Sequence, residues 1–111
     1  MAAPVLEIEM SDEALTPDEL WAALGMVLRR EREKRELTQE ELATISGVGR
    51  RTLSDVEKGQ SDKLKHLVRL SWSMGIEFSS IVARAEAMVL AETDLEQWAT
   101  ALQEYQATKK G

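Results

Sequence analysis

The sequence predicts an all-α fold, a five-helix domain over residues 16–82 followed by a helical extension over 83–111. Three observations lead there. Apolar residues recur at helical spacing from Leu20 onward. Thr38 with Glu41 three residues later makes a capping box, which opens a short helix. Residues 39–59 then hold two short apolar patterns joined by a tight turn, too close together for either to bury its apolar face alone.

Residues 1–15 lack a sustained period and carry Glu7, Glu9, Asp12 and Glu13, so an acidic disordered tail is expected. Val5, Leu6 and Ile8 offer the alternative of a short packed arm. Helix 1 begins at Thr16-Pro17-Asp18-Glu19 as N-cap, proline at the first position and glutamate at the third. Its buried face is Leu20, Trp21, Leu24, Val27 and Leu28. The second half is almost entirely charged. Its arginines and Lys34 either approach a phosphate backbone or form i,i+4 pairs on an exposed helix end. Helix 2 opens at Thr38 and turns Leu42, Ala43 and Ile45 inward. In the turn that follows, Gly47 can take the positive φ that ends a helix, and Val48 plugs the angle between the two helices. The next helix runs from Arg50 to Lys58 with Leu53 and Val56 on one face, and Gly59 stops it. After a polar loop, helix 4 faces Leu64, Leu67, Leu70 and Met74 inward and stops at Gly75. Ile76, Phe78, Ile81 and Val82 begin a fifth helix that closes the core.

Counted from Gln39, the small residue Ala43 is fifth, Gly47 ninth, Val48 tenth, Leu53 fifteenth and Val56 eighteenth. With Glu57 and Gly59 forming an E-x-G ending, the stretch resembles the helix-turn-helix of the phage-repressor-like (lambda-repressor-like, or Xre) family, from about Leu24 to Ile81. The resemblance implies a five-helix lambda-repressor-like domain that binds double-stranded DNA. It also implies that Arg32, late in helix 1, bonds Glu57 near the end of the recognition helix, in preference to a local pair with Glu36. Two departures stand out. Glu36 replaces the glycine usual between helices 1 and 2, and the loop after Gly59 lacks proline and is about one residue short.

With Leu53 and Val56 turned to the core, Arg51, Ser54, Asp55 and Lys58 project to the opposite side and Arg50 leads the helix. In the motif this resembles, the start of the second helix enters the major groove. Arg50, Arg51 and Ser54 are therefore the expected base contacts, with Asp55 either accepting from cytosine or orienting Arg51. Thr38, Gln39, Gly49, Thr52 and Lys58 are expected on the phosphates. His66, the only histidine, is expected as a surface or phosphate contact.

Beyond the family's usual end, Ile81, Met88, Leu95 and Leu102 are spaced by sevens, with Ala91, Trp98 and Tyr105 as the partner series. Either this is one two-stripe seam, or Thr93-Asp94 caps a fresh helix and makes a hairpin. Met88, Leu95, Trp98, Leu102 and Tyr105 are the expected dimerisation residues, because DNA-reading modules of this size usually work in pairs.

The net charge of −6 hides an asymmetry. Residues 29–69 hold eleven of the fourteen Lys and Arg and only eight of the twenty acids, a local balance of +3, and the rest of the chain carries −9. The basic block coincides with the helix-turn-helix. There is no cysteine, no signal-peptide pattern and no apolar run of membrane length, so a cytoplasmic, nucleoid-associated protein is expected, with no membrane, cofactor or metal. An enzyme is the weakest reading, since one histidine and no glycine-rich phosphate loop leave little chemistry. A sequence-specific repressor acting as a homodimer on an inverted repeat is expected. The alternative is an antitoxin-like or adaptor protein that binds a protein partner through its C-terminal helices.

Overall fold

The computed structural model describes residues 17–91 and 95–110, and these form six helices. They are α1 (Pro17–Lys34), α2 (Gln39–Ser46), α3 (Arg50–Glu57), α4 (Leu64–Ser73), α5 (Phe78–Leu90) and α6 (Leu95–Lys110). The fold is all-α, as the periodicity predicts. The expected tail, the Thr16 cap and the Thr93-Asp94 cap lie outside the described residues.

One core joins the first five helices. α1 supplies Ala23, Leu24, Val27 and Leu28, while α2 and its turn supply Leu42 and Val48. Leu53 and Val56 come from α3, Leu67, Leu70 and Met74 from the α4 end, and Ile81 and Ala85 from α5. Each leucine buried this way adds about 1.5–3 kcal/mol relative to exposure. α1 packs most extensively on α5 and then on α3, so it is the beam on which the other helices hang.

Local chemistry sets the joints. The Thr38 hydroxyl accepts from the Glu41 N–H at 3.1 Å and Glu41 Oε1 accepts from the Thr38 N–H at 3.0 Å, which is the predicted capping box. The Thr38 N–H, and after it the Thr38 hydroxyl, hold the Glu41 carboxyl below its ordinary range. Gly47 ends α2 at φ +72°, its N–H bonded to Ala43 O at 2.9 Å. α1 ends in the same left-handed manner at Glu36, φ +56°, with the Leu37 N–H on Arg32 O at 3.1 Å and the Glu36 N–H on Glu33 O at 2.9 Å. The missing family glycine has therefore left the turn geometry intact and placed strain on a glutamate. At the other end of the core, the Ser71 hydroxyl donates to Ile76 O at 2.7 Å and ties α4 to α5.

Two expectations about packing need correction, and of the two readings of the sevenfold spacing the single seam does not hold. Ile45 is 58% exposed, because the short α2 turns only Leu42, half-buried Ala43 and Ser46 towards its neighbours. Leu64 is 56% exposed, since α4 buries the face of Leu67, Leu70, Ser71 and Met74, and Leu64 falls at its edge. The sevenfold seam is not one helix. Ile81 is fully buried in the core, and Ala91 ends α5 four residues before α6 begins. α5 itself runs past Val82, bringing Ala85 into the core and Val89 against it. No described side chain of α6 belongs to the core.

Candidate nucleic-acid interface

The outward face of α3 is built from its core face. Leu53 and Val56 are buried, which turns Arg50 and Arg51 to solvent and leaves Thr52, Ser54 and Asp55 half-buried along the flanks. Gly49 precedes α3 with no side-chain cap bond, so the first N–H groups of the helix are left for an outside acceptor. Gln39, Arg50, Arg51 and Ser54 surround one shallow depression between the starts of α2 and α3. A second depression adjoins it, lined by Arg32, Thr38, Gln39, Glu40 and Arg50. Lys58 stands apart at the far end of α3, about 12 Å along the axis from Arg50.

Charge within this face is sparsely neutralised. Arg50 comes within 3.9 Å of Glu40, and both side chains are exposed, an arrangement worth little in water. Arg51 has no acidic partner among the described residues, and Asp55 does not pair with it.

Behind the face lies a buried ionic joint. Arg32 donates from Nε to Glu57 Oε2 at 2.6 Å and from Nη2 to Glu57 Oε1 at 2.9 Å, a bidentate pair. Its remaining nitrogen, Nη1, donates to Leu37 O at 2.7 Å. The side chains are 10% and 5% exposed. Glu57 holds the Arg32 guanidinium above even its usual high range, against the opposing effect of burial. Gln39 Nε2 completes the joint by donating to Glu57 Oε1 at 3.0 Å. One carboxylate thus ties α1, the start of α2 and the end of α3, and it anchors Gln39 at the edge of both depressions.

Two backbone approaches reinforce the joint. A Cβ on Gly25 would fall 2.2 Å from Val56 O, and one on Gly59 would fall 2.6 Å from Ala22 Cα. α1 and the C-terminal end of α3 therefore meet main chain to main chain.

Sequence reasoning missed both the Gln39–Glu57 bond and a second network. Glu31, buried on α1, accepts from Arg35 one turn on and from Arg84 Nη1 of α5 at 2.5 Å. Arg35 first, then Arg84, hold its carboxyl below the ordinary range. Only the pairing with Arg35 had a signal in the spacing. His66 differs from a plain surface contact, being half-buried with Nδ1 enclosed and without a partner. Burial, and then the charges of Lys65, Lys63 and Arg69, push its pKa down. The expected dimerisation residues stand as follows: Met88, Leu95, Trp98 and Leu102 are exposed, and Tyr105 is half-buried. No helix of the described residues is long and apolar enough to cross a membrane, and no cluster of His, Asp or Glu among them is arranged to hold a metal.

Comparison with known proteins agrees with this geometry. A family model described as helix-turn-helix matches residues 28–71. Two crystal structures of the clp gene regulator ClgR from Corynebacterium glutamicum are similar to the chain. One is 29% identical over 61% of this chain and 88% of that one, with a TM-score of 0.57. The other is 27% identical over 80% of this chain and 87% of that one, also with a TM-score of 0.57. A search of curated proteins finds no match.

Proposed function

We propose that the chain, whose residues 28–71 match the helix-turn-helix family model, is a lambda-repressor-like (Xre) regulator that represses transcription by occupying an inverted-repeat operator as a dimer. The coarser statement, a DNA-binding transcriptional regulator, follows from the family and from the similarity to a gene regulator. The observation that carries the finer reading is the pair Arg50 and Arg51 at the open start of α3, one only loosely paired with Glu40 and the other without an acidic partner among the described residues, on a helix whose seat is fixed by the Arg32–Glu57–Gln39 joint.

In this reading α3 lies in the major groove. Arg50, Arg51 and Ser54 meet base edges, and Asp55 borders them. Thr38, Gln39, Gly49, Thr52 and Lys58 meet phosphates on either side. A bidentate arginine on guanine contributes about 1–3 kcal/mol of discrimination, whereas phosphate contacts add affinity without sequence preference. Two copies related by a two-fold axis would read half-sites about one helical turn apart. The exposed Leu95, Trp98 and Leu102 of α6, with Met88 and Tyr105, supply the apolar surface for self-association.

The test is a titration against DNA from the protein's own promoter region at two salt concentrations, with wild type and Arg51→Ala. Salt-sensitive binding that loses its sequence preference in Arg51→Ala supports the reading. Binding no better than to competitor DNA at low salt removes it, and favours the adaptor reading, with a protein partner on the C-terminal helices.

A further inference from the structure

The acids around the recognition face are engaged differently. Glu41 is taken up by the capping box with Thr38, and Glu57 lies behind the face, held by Arg32 and Gln39. Asp55, half-buried on the flank of α3, makes no ion pair among the described residues. Glu40 is the acid left over. It stands in the first turn of α2 with its side chain 77% exposed, and its Oε1 lies 3.9 Å from Nε of Arg50 at the start of α3. The two line one depression with Arg32, Thr38 and Gln39. An ion pair this exposed adds almost nothing to folding. The carboxylate also lowers the positive potential where Thr38 and Gln39 would meet a phosphate. Neither effect accounts for a glutamate at this point.

Its position on Arg50 does. A planar guanidinium has a side edge, made by Nε and one Nη, and an end edge, made by the two Nη nitrogens. Glu40 approaches from the Nε side and leaves the end edge open. We propose that Glu40 is a positioning residue for DNA reading. It steadies Arg50 from the Nε side, and its charge keeps a phosphate out of the depression, so that the two Nη nitrogens turn to a base pair and not to the backbone.

This inference rests on the proposed DNA reading and adds to it a residue of α2 that touches no base. Guanine, with O6 and N7 side by side, is the acceptor pair that fits the end edge. The two adjacent arginines are thereby set apart. Arg50 is directed by a neighbouring helix, whereas Arg51 has no acid beside it among the described residues. Glu40 works against affinity at the phosphates and in favour of sequence preference at the bases.

The test is position by position. A double-stranded DNA library with a randomised window is selected with the full wild-type chain, and the selected site is then changed one base pair at a time. Each site is titrated at low salt with wild type, Glu40→Gln, Arg50→Ala and the double variant. Glu40→Gln is expected to lose about fivefold in discrimination at the base pairs where Arg50→Ala also loses it, and to keep the preference elsewhere. In the double variant it should add nothing to Arg50→Ala. A Glu40→Gln chain that binds every site more tightly by one common factor overturns the inference, because Glu40 then acts through net charge alone. Loss at base pairs indifferent to Arg50→Ala overturns it as well. A wild type that selects no site fails earlier, at the DNA reading itself, and takes the inference with it.

Discussion

Replacing Arg32 by methionine keeps the aliphatic stem and removes all three of its donated bonds. Glu57 is then left 5% exposed with only the Gln39 amide as partner, and Leu37 O loses its donor. Breaking a buried pair from one side costs about 3–5 kcal/mol. Gln39 retains one bond to the carboxylate, which places the cost of Arg32→Met near the lower end, about 3 kcal/mol. At about 4–8 °C per kcal/mol for a domain of this size, Tm should fall by about 12–24 °C. Urea denaturation followed by circular dichroism measures the loss. Arg32→Met/Glu57→Leu, which removes both charges together, should recover much of it, with a coupling of about 2 kcal/mol. The same double variant should still bind DNA about tenfold more weakly, equivalent to about 1.4 kcal/mol, because Gln39 has lost its anchor. An Arg32→Met cost below about 1 kcal/mol, or a double variant equal to the sum of the two single ones, would refute the claim that this pair seats the recognition helix.

The remaining predictions concern the joints of α1. Glu36→Gly relieves a left-handed residue at about 1–2 kcal/mol and gives part of it back through glycine's unfolded freedom, so a net gain of about 0.5–1 kcal/mol is expected in the same denaturation assay. No gain would mean that Glu36 is not strained. Glu31 is held below its ordinary range in the folded protein, so its contribution is fully present above the unfolded value of about 4.3 and is lost as pH falls through the lower folded value. Stability measured from pH 5 to pH 3 should therefore decline less steeply in Arg35→Ala/Arg84→Ala than in the wild type. An unchanged slope would remove Glu31 from the acid response.

How much of this was legible follows from the range of each interaction. The capping box at Thr38 and the left-handed turn at Gly47 are local, written within three or four residues, and they appear as read. The inward face of α3 also follows from spacing alone, because Leu53 and Val56 are its only large apolar residues. Ile45 and Leu64 misled because a helix of eight or ten residues buries only part of an apolar arc, and the neighbouring helices decide which part. The Arg32–Glu57 pairing came from family resemblance and has no signal in spacing. The links from Glu31 to Arg84 and from Gln39 to Glu57 span 53 and 18 residues, and no periodicity of a single helix encodes them. The sevenfold spacing after Ile81 was real but joined a core residue to exposed ones across the end of α5.

The meeting of Gly25 with Val56 O and of Gly59 with Ala22 separates the mount of the recognition helix from its lettering. The seat of α3 is set by main chain and by an ion pair behind it, and none of the residues at Arg50, Arg51 or Ser54 takes part in that seat. If the proposed DNA reading holds, substitutions on the outer face should re-address the protein to another DNA sequence while leaving helix position and core stability nearly untouched. A side chain added at either glycine would shift the whole reading surface at once, whatever letters it carried.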